Sequence, residues 1–149
     1  MKVVLDTNVI ISAIVFGGKP RIIFELIIVE KNLTGVISRS IIDELLGVLK
    51  VKFKYSHIQL IKIEKLIEEN FIITHPQNIP KIIKEDSFDN QILAIADETP
   101  IDYIISGDNH LLNIKTYKNI LIVTPHYFVN KIIDQCSDRG NSSNLSIRF

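Results

Sequence analysis

Short apolar runs recur along the chain, and polar residues seldom alternate within them. These runs are too short for helices and are rich in β-branched residues, which is typical of strands buried on both faces of a parallel sheet. The predicted strands occupy residues 3–5, a short stretch beginning at 36–37, and residues 71–74, 101–106 and 119–124.

Between these runs, apolar residues recur at helical spacing. The clearest helix covers residues 38–50, which carry an apolar stripe on one face and have Ser40 and Asp43 at the spacing of a capping box. Further helices are predicted over residues 8–15, 20–30, 56–70 and 86–98, and a short one from about residue 125. The alternation predicts an α/β fold, with a central parallel β-sheet flanked by helices on both faces in a single domain.

The composition fits one globular domain. The chain has 149 residues, 46% of them hydrophobic, and its 17 basic and 17 acidic residues cancel. Cys136 is the single cysteine, and no apolar run approaches the roughly 18 residues of a membrane span. We therefore expect a soluble, cytoplasmic protein with no membrane association. Residues 1–136 are predicted to form the domain, and the polar residues 137–149 a flexible tail or a segment that orders on a partner.

Two aspartates stand at the carboxyl ends of predicted buried strands. Asp6 ends the first run, and Asp108 comes after Gly107 at the end of 101–106. Each has an ordinary structural explanation, because Asp6 could cap the next helix and Asp108 could serve a turn. In a parallel sheet, however, both strands end at the same edge, which is where α/β proteins bind ligands.

Two further acids occupy suggestive helical positions. Glu44 lies one turn into the helix 38–50, at the edge of its apolar stripe, and Asp89 lies near the start of the helix 86–98. Glu44 could instead belong to a solvated face, and Asp89 could pair with Asp86 as a helix cap. Several carboxylates gathered in one cleft repel one another, and a divalent cation such as Mg²⁺ or Mn²⁺ would relieve that repulsion.

Four stretches in this order carry a family resemblance. They are VVLDTNVIISA, SRSIIDELLGVL, DSFDNQILAIA and DYIISGDNHLL, and together they resemble the PIN domain family of metal-dependent ribonucleases over about residues 2–130. The resemblance implies a parallel sheet between helices and one or two Mg²⁺ or Mn²⁺ ions. The implied catalytic and metal-binding acids are Asp6, Glu44, Asp89 and Asp108, and the implied polar residues that orient them are Asn8 and Ser106.

The resemblance also implies an activity and partners. It implies a hydrolase that cleaves RNA phosphodiester bonds as an endoribonuclease. Many small single-domain members are similar to the toxin components of VapBC-type toxin–antitoxin modules, which implies an antitoxin protein as a partner and a homodimer. One position departs from the pattern, because His110 stands where many relatives have an acid. The chain's four histidines show no paired ligand spacing, and we expect them at the surface or in loops.

Basic residues supply candidates for substrate binding. Three lysines alternate with Phe53 and Tyr55, a pattern that suits phosphate contacts beside stacked bases but also an ordinary solvated loop. Other basic residues flank predicted strand ends. The candidates are Lys19, Arg21, Arg39, Lys50, Lys52 and Lys54.

Other functions stay open on the sequence alone. A receiver domain or a haloacid dehalogenase-type phosphatase also has acids at strand ends, although the phosphatase needs a second aspartate where Asn8 stands. A degenerate PIN domain could bind RNA or protein without cleaving anything. A catalytic one could process RNA outside any toxin–antitoxin pair.

Overall fold

A computed structural model describes residues 1–82 and 87–137 of the chain. Within these residues, six strands form one sheet. The strands are β1 (Lys2–Leu5), β2 (Thr34–Ser38), β3 (Phe71–Thr74), β4 (Tyr103–Ile105), β5 (Thr116–Tyr117) and β6 (Ile120–Val123). Their order across the sheet is β3-β2-β1-β4-β6-β5, and every neighbouring pair is parallel except β5 with β6. The predicted fold class is confirmed.

Six helices lie in connections between strands of the described part of the chain, and a seventh follows β6. They are α1 (Thr7–Val15), α2 (Gly18–Val29), α3 (Arg39–Val51), α4 (His57–Asn70), α5 (Ser87–Glu98), α6 (Asn109–Leu112) and α7 (Pro125–Ser137). Among the described residues, no helix is long and apolar enough to cross a membrane.

The central strand explains why the runs lack polar alternation. Val3, Val4 and Leu5 are all almost completely buried, although successive strand residues point to opposite faces of a sheet. Both faces of β1 are therefore covered. The registers place Leu5 beside Ile105, so the residues that follow β1 and β4 emerge together at the carboxyl edge of the sheet.

The capping box predicted in α3 is wrong. Ser38 is the N-cap, and its hydroxyl accepts a hydrogen bond from the Ile41 backbone N–H at 3.3 Å. Ser40 lies inside the helix, where its hydroxyl donates to Gln91 Oε1 at 2.6 Å and so links α3 to α5. The chain instead forms a capping box at the start of α4, between Ser56 and Gln59.

Other boundaries differ by small amounts. α1 begins at Thr7 and α2 at Gly18, each before the predicted start, and β2 begins at Thr34. The short helix α6 and the two-residue strand β5 were not predicted. Asp86, proposed above as a helix cap, and residues 138–149 of the predicted tail lie outside the described residues.

Candidate metal centre

Asp6 lies at the carboxyl edge of the sheet and does not act as a side-chain cap. Its backbone N–H donates to Ile105 O at 3.0 Å, which extends the pairing of β1 with β4 by one residue. Asp6 occupies the N-cap position of α1, but its side chain makes no capping hydrogen bond. Asp6 Oδ2 instead accepts a hydrogen bond from the Ser106 hydroxyl at 2.8 Å. This carboxylate is only 5% exposed, so it is held at the edge of the core by a contact across the sheet.

Ser106 joins two of the predicted acids. Its side chain is fully buried, and while its hydroxyl donates to Asp6 it also accepts from the Asp108 backbone N–H at 2.9 Å. Asp108 in turn caps α6, because its Oδ1 accepts from the His110 backbone N–H at 2.7 Å. The turn role considered for Asp108 is therefore present, and the same serine links the Asp108 backbone to the Asp6 carboxylate.

Asp89 approaches the same edge from α5. It lies in the first turn of that helix and is 3% exposed. Its Oδ2 lies 3.9 Å from His110 Nδ1, and that nitrogen lies 3.5 Å from Asp108 Oδ1. Asp89, Asp108 and His110 thus offer three donor atoms within 4.8 Å of one another.

Glu44 is tied to this region through Thr7. The buried Thr7 hydroxyl donates to Glu44 Oε2 at 3.0 Å, which connects α3 to the residue directly after Asp6. Glu44 is half-buried, so its carboxylate is not on a fully solvated face. Asn8 lies in the first turn of α1 and is exposed.

The structure also shows neighbours that the sequence analysis did not assign. A role for Thr7 could have been predicted, because it is a polar residue between Asp6 and the predicted helix of residues 8–15. His110 was expected at the surface; it is 47% exposed, but its ring contacts the acids. The approach of the ring to Asp89 joins residues that are distant in sequence, so no local pattern predicts it.

Two predicted substrate-binding residues have structural contacts. Arg21 donates to the carbonyl oxygens of Ala13 and Ile14 at 2.8 and 3.0 Å, which covers the end of α1. Arg39 forms ion pairs with Asp43, Glu64 and Glu68 at 2.9 to 3.2 Å.

The lysine candidates lie on or beside helices. Lys19 lies in the first turn of α2 and Lys50 in the last turn of α3. Lys52 follows α3, with its ammonium 5.6 Å from the centre of the Phe53 ring, and the exposed Lys54 adopts a positive φ of 58°. Their role in binding RNA stays a prediction.

The donor set suits a hard divalent cation. Asp6 and Asp89 are carboxylates more than nine-tenths buried, and burying such a charge is unfavourable unless a cation or hydrogen bonds compensate it. Carboxylate oxygens are the ligands that Mg²⁺ and Mn²⁺ prefer. The convergence of Asp89 with Asp108 and the hydrogen-bonded link from Asp108 to Asp6 place several such oxygens at one edge.

Comparison with protein families assigns most of the chain to a known family. A family model described as PIN domain matches residues 2–110, which is well over half of the chain and includes all four predicted acids. A comparison with curated proteins finds no match.

Proposed function

Because the chain belongs to the PIN domain family, whose members are generally metal-dependent nucleases, we propose that this protein is a metal-dependent endoribonuclease. Membership in this family removes the receiver and phosphatase alternatives. The observation that carries the proposal is the group formed by Asp89, Asp108 and His110, whose donor atoms lie within 4.8 Å of one another. The Ser106 hydroxyl links the backbone of Asp108 in this group to the Asp6 carboxylate.

In this proposal, four acids hold one or two Mg²⁺ or Mn²⁺ ions: Asp6, Glu44, Asp89 and Asp108. A bound ion supplies activation of water and stabilisation of the leaving 3′ oxygen, which gives 5′-phosphate and 3′-hydroxyl ends. The protein's own residues orient the ligands. The Ser106 hydroxyl fixes the Asp6 carboxylate, and the Thr7 hydroxyl fixes that of Glu44. The carboxylates themselves need transfer no proton.

RNA cleavage by purified variants tests this activity. Wild-type protein should cleave single-stranded RNA with Mn²⁺ or Mg²⁺ and lose cleavage with EDTA. Asp6→Asn and Asp108→Asn should abolish cleavage while keeping the fold, because an amide oxygen still accepts the Ser106 and His110 hydrogen bonds. Full cleavage by either variant would refute the assignment.

Glu44 needs its own variant. Glu44→Gln keeps an acceptor for the Thr7 hydroxyl and removes only the charge. Loss of most activity would support a metal ligand, and wild-type activity would leave a site of three acids. His57→Ala is a control, since His57 is exposed at the start of α4 and is not among the grouped donor residues.

We also propose that the protein is the toxin of a toxin–antitoxin module, with an antitoxin protein as its partner and a homodimer as its assembly. The support is the resemblance of this small domain to such toxins. Induced expression should arrest growth in wild type but not in Asp6→Asn, and a short protein encoded next to the gene should relieve the arrest. Cleavage without growth arrest would favour RNA processing, and a folded protein without cleavage would favour a binding module.

A further inference from the structure

The His110 ring lies beside two of the acids, Asp89 and Asp108. Its Nδ1 is 3.5 Å from Asp108 Oδ1 and 3.9 Å from Asp89 Oδ2. Two donors bound to one ion at about 2.1 Å can be at most about 4.2 Å apart. The imidazole nitrogen is therefore already within the span that a shared ion allows with each of two acids.

The backbone holds this ring in place. The His110 N–H donates to the same Asp108 oxygen that the ring approaches, at 2.7 Å, so the residue is anchored to one acid at the start of α6. Asp89 is 3% exposed and approaches the ring nitrogen from α5. The donor atoms therefore come from two separate elements, α5 and the start of α6.

We propose that His110 is a metal ligand through Nδ1 and that it sets the metal preference of the centre. This inference rests on the metal centre of the proposed function. A site built of carboxylates alone favours hard ions such as Mg²⁺, whereas an imidazole nitrogen raises affinity for transition-metal ions in the Irving–Williams order. The centre therefore binds Mn²⁺, and more strongly Co²⁺ or Zn²⁺, in preference to Mg²⁺.

An alternative role for His110 makes an opposite prediction. A charged imidazole that only neutralises the two acids competes with the ion for the same carboxylates. Removing such a group would strengthen Mn²⁺ binding or leave it unchanged, whereas removing a ligand weakens it.

The test compares wild type with His110→Ala and His110→Asp, with His57→Ala as a matched histidine control. Calorimetry on the metal-free proteins measures Mn²⁺ and Mg²⁺ affinity, and pulsed electron paramagnetic resonance of bound Mn²⁺ detects coupling to an imidazole nitrogen. His110→Ala should weaken Mn²⁺ binding by about tenfold or more, as expected for loss of a metal ligand or its support, with a much smaller effect on Mg²⁺. His110→Asp should move the preference toward Mg²⁺.

Nitrogen coupling should be present in wild type and His57→Ala and absent from both His110 variants. Mn²⁺ binding without this coupling, or Mn²⁺ binding that does not weaken in His110→Ala, overturns the proposal while the metal centre stands. If wild type binds no divalent ion, the metal centre itself fails, and the proposed function fails with it.

Discussion

At the scale of single residues, one buried hydroxyl organises the candidate metal centre. Ser106 is completely buried, and it hydrogen-bonds both the Asp6 carboxylate and the backbone of Asp108. A ligand carboxylate fixed in this way loses little freedom when it binds an ion, and such supporting contacts commonly affect metal affinity.

Ser106→Ala should therefore lower Mn²⁺ affinity and RNA cleavage by about 10- to 100-fold. The change leaves the Asp6 carboxylate in place but removes the group that orients it. Calorimetry and cleavage rates measure both effects.

A second serine provides the control for this prediction. Ser56→Ala removes the hydroxyl that caps α4, which costs about 1 kcal/mol of stability without touching the metal centre. Ser106→Ala with wild-type metal affinity would show that the hydroxyl serves packing alone.

At the scale of elements, Arg39 connects α3 to α4. Its guanidinium pairs with Asp43 on its own helix and with Glu64 and Glu68 on the next. The hydrogen bond to Glu64 is the main cause that raises the Arg39 pKa, with further contributions from Glu68 and Asp43, while its slight burial opposes the rise. The three carboxylates neutralise the charge of this guanidinium, so it attracts a phosphate only weakly.

Arg39→Ala should lower the free energy of unfolding by about 1 kcal/mol, the upper range for an exposed pair, and change RNA affinity little. The comparison is the triple variant Lys50→Ala, Lys52→Ala, Lys54→Ala. If these lysines contact phosphates, that variant should lower both RNA affinity and its salt dependence. Weaker RNA binding by Arg39→Ala at unchanged stability would restore its predicted substrate role.

The hairpin of β5 and β6 is fastened to α5 by Tyr117. Its hydroxyl donates to Asp97 Oδ1 at 2.9 Å, and the Lys118 ammonium pairs with the same oxygen at 2.6 Å. Burial, followed by the hydrogen bond to Asp97 and its charge, raises the pKa of Tyr117 from 10.0 to about 12.

Because the folded-state pKa lies above the unfolded value, this stabilisation is complete below about pH 10 and is lost as the pH rises through about 12. Tyr117→Phe should remove that alkaline loss, and chemical denaturation across this pH range measures it. Tyr127→Phe, at a ring 48% exposed, is the control and should follow wild type. If the free energy of unfolding falls equally with rising pH in Tyr117→Phe and in wild type, Tyr117 is not the group that causes the alkaline loss.

At the scale of the whole molecule, strong and repeated sequence patterns predicted the fold. The apolar run at residues 3–5 forms β1, and the apolar stripe of residues 38–50 forms the buried face of α3. Both patterns were clear in the sequence because both are buried in the core. β5 was missed because it has two residues and its turn is Lys118-Asn119, both with positive φ, where such turns usually contain glycine. Local spacing could not decide between Ser38 and Ser40 as the cap of α3.

The positions of three acids in the fold could be predicted from the sequence, and their contacts could not. Asp6 and Asp108 follow strands that end at the same edge of the sheet, and Asp89 lies in the first turn of α5. The role of the four acids as metal ligands stays a prediction. The bond from Ser106 to Asp6 spans 100 residues of sequence and that from Thr7 to Glu44 spans 37, and both depend on tertiary packing. The same packing gives Arg39 its carboxylate partners in α4.

Metal binding should also stabilise the whole protein. A ligand that binds only the folded state adds about 2.7 kcal/mol when its concentration is about 100 times Kd. For a domain of this size, that corresponds to a rise in melting temperature of about 5 to 10 °C. Millimolar Mn²⁺ should produce such a rise in wild type, measured by thermal unfolding with and without EDTA.

Asp6→Asn separates metal binding from an ordinary structural role for Asp6. The carboxylate makes no side-chain capping bond in α1, and asparagine can still accept the Ser106 hydrogen bond, so the variant loses a charge and keeps its contact. Without metal it should melt no lower than wild type, because one mutual repulsion among the acids is gone. Addition of Mn²⁺ should raise the melting temperature of Asp6→Asn much less than that of wild type. If Asp6→Asn is less stable than wild type without metal and gains as much from Mn²⁺, Asp6 stabilises the fold and does not bind the ion.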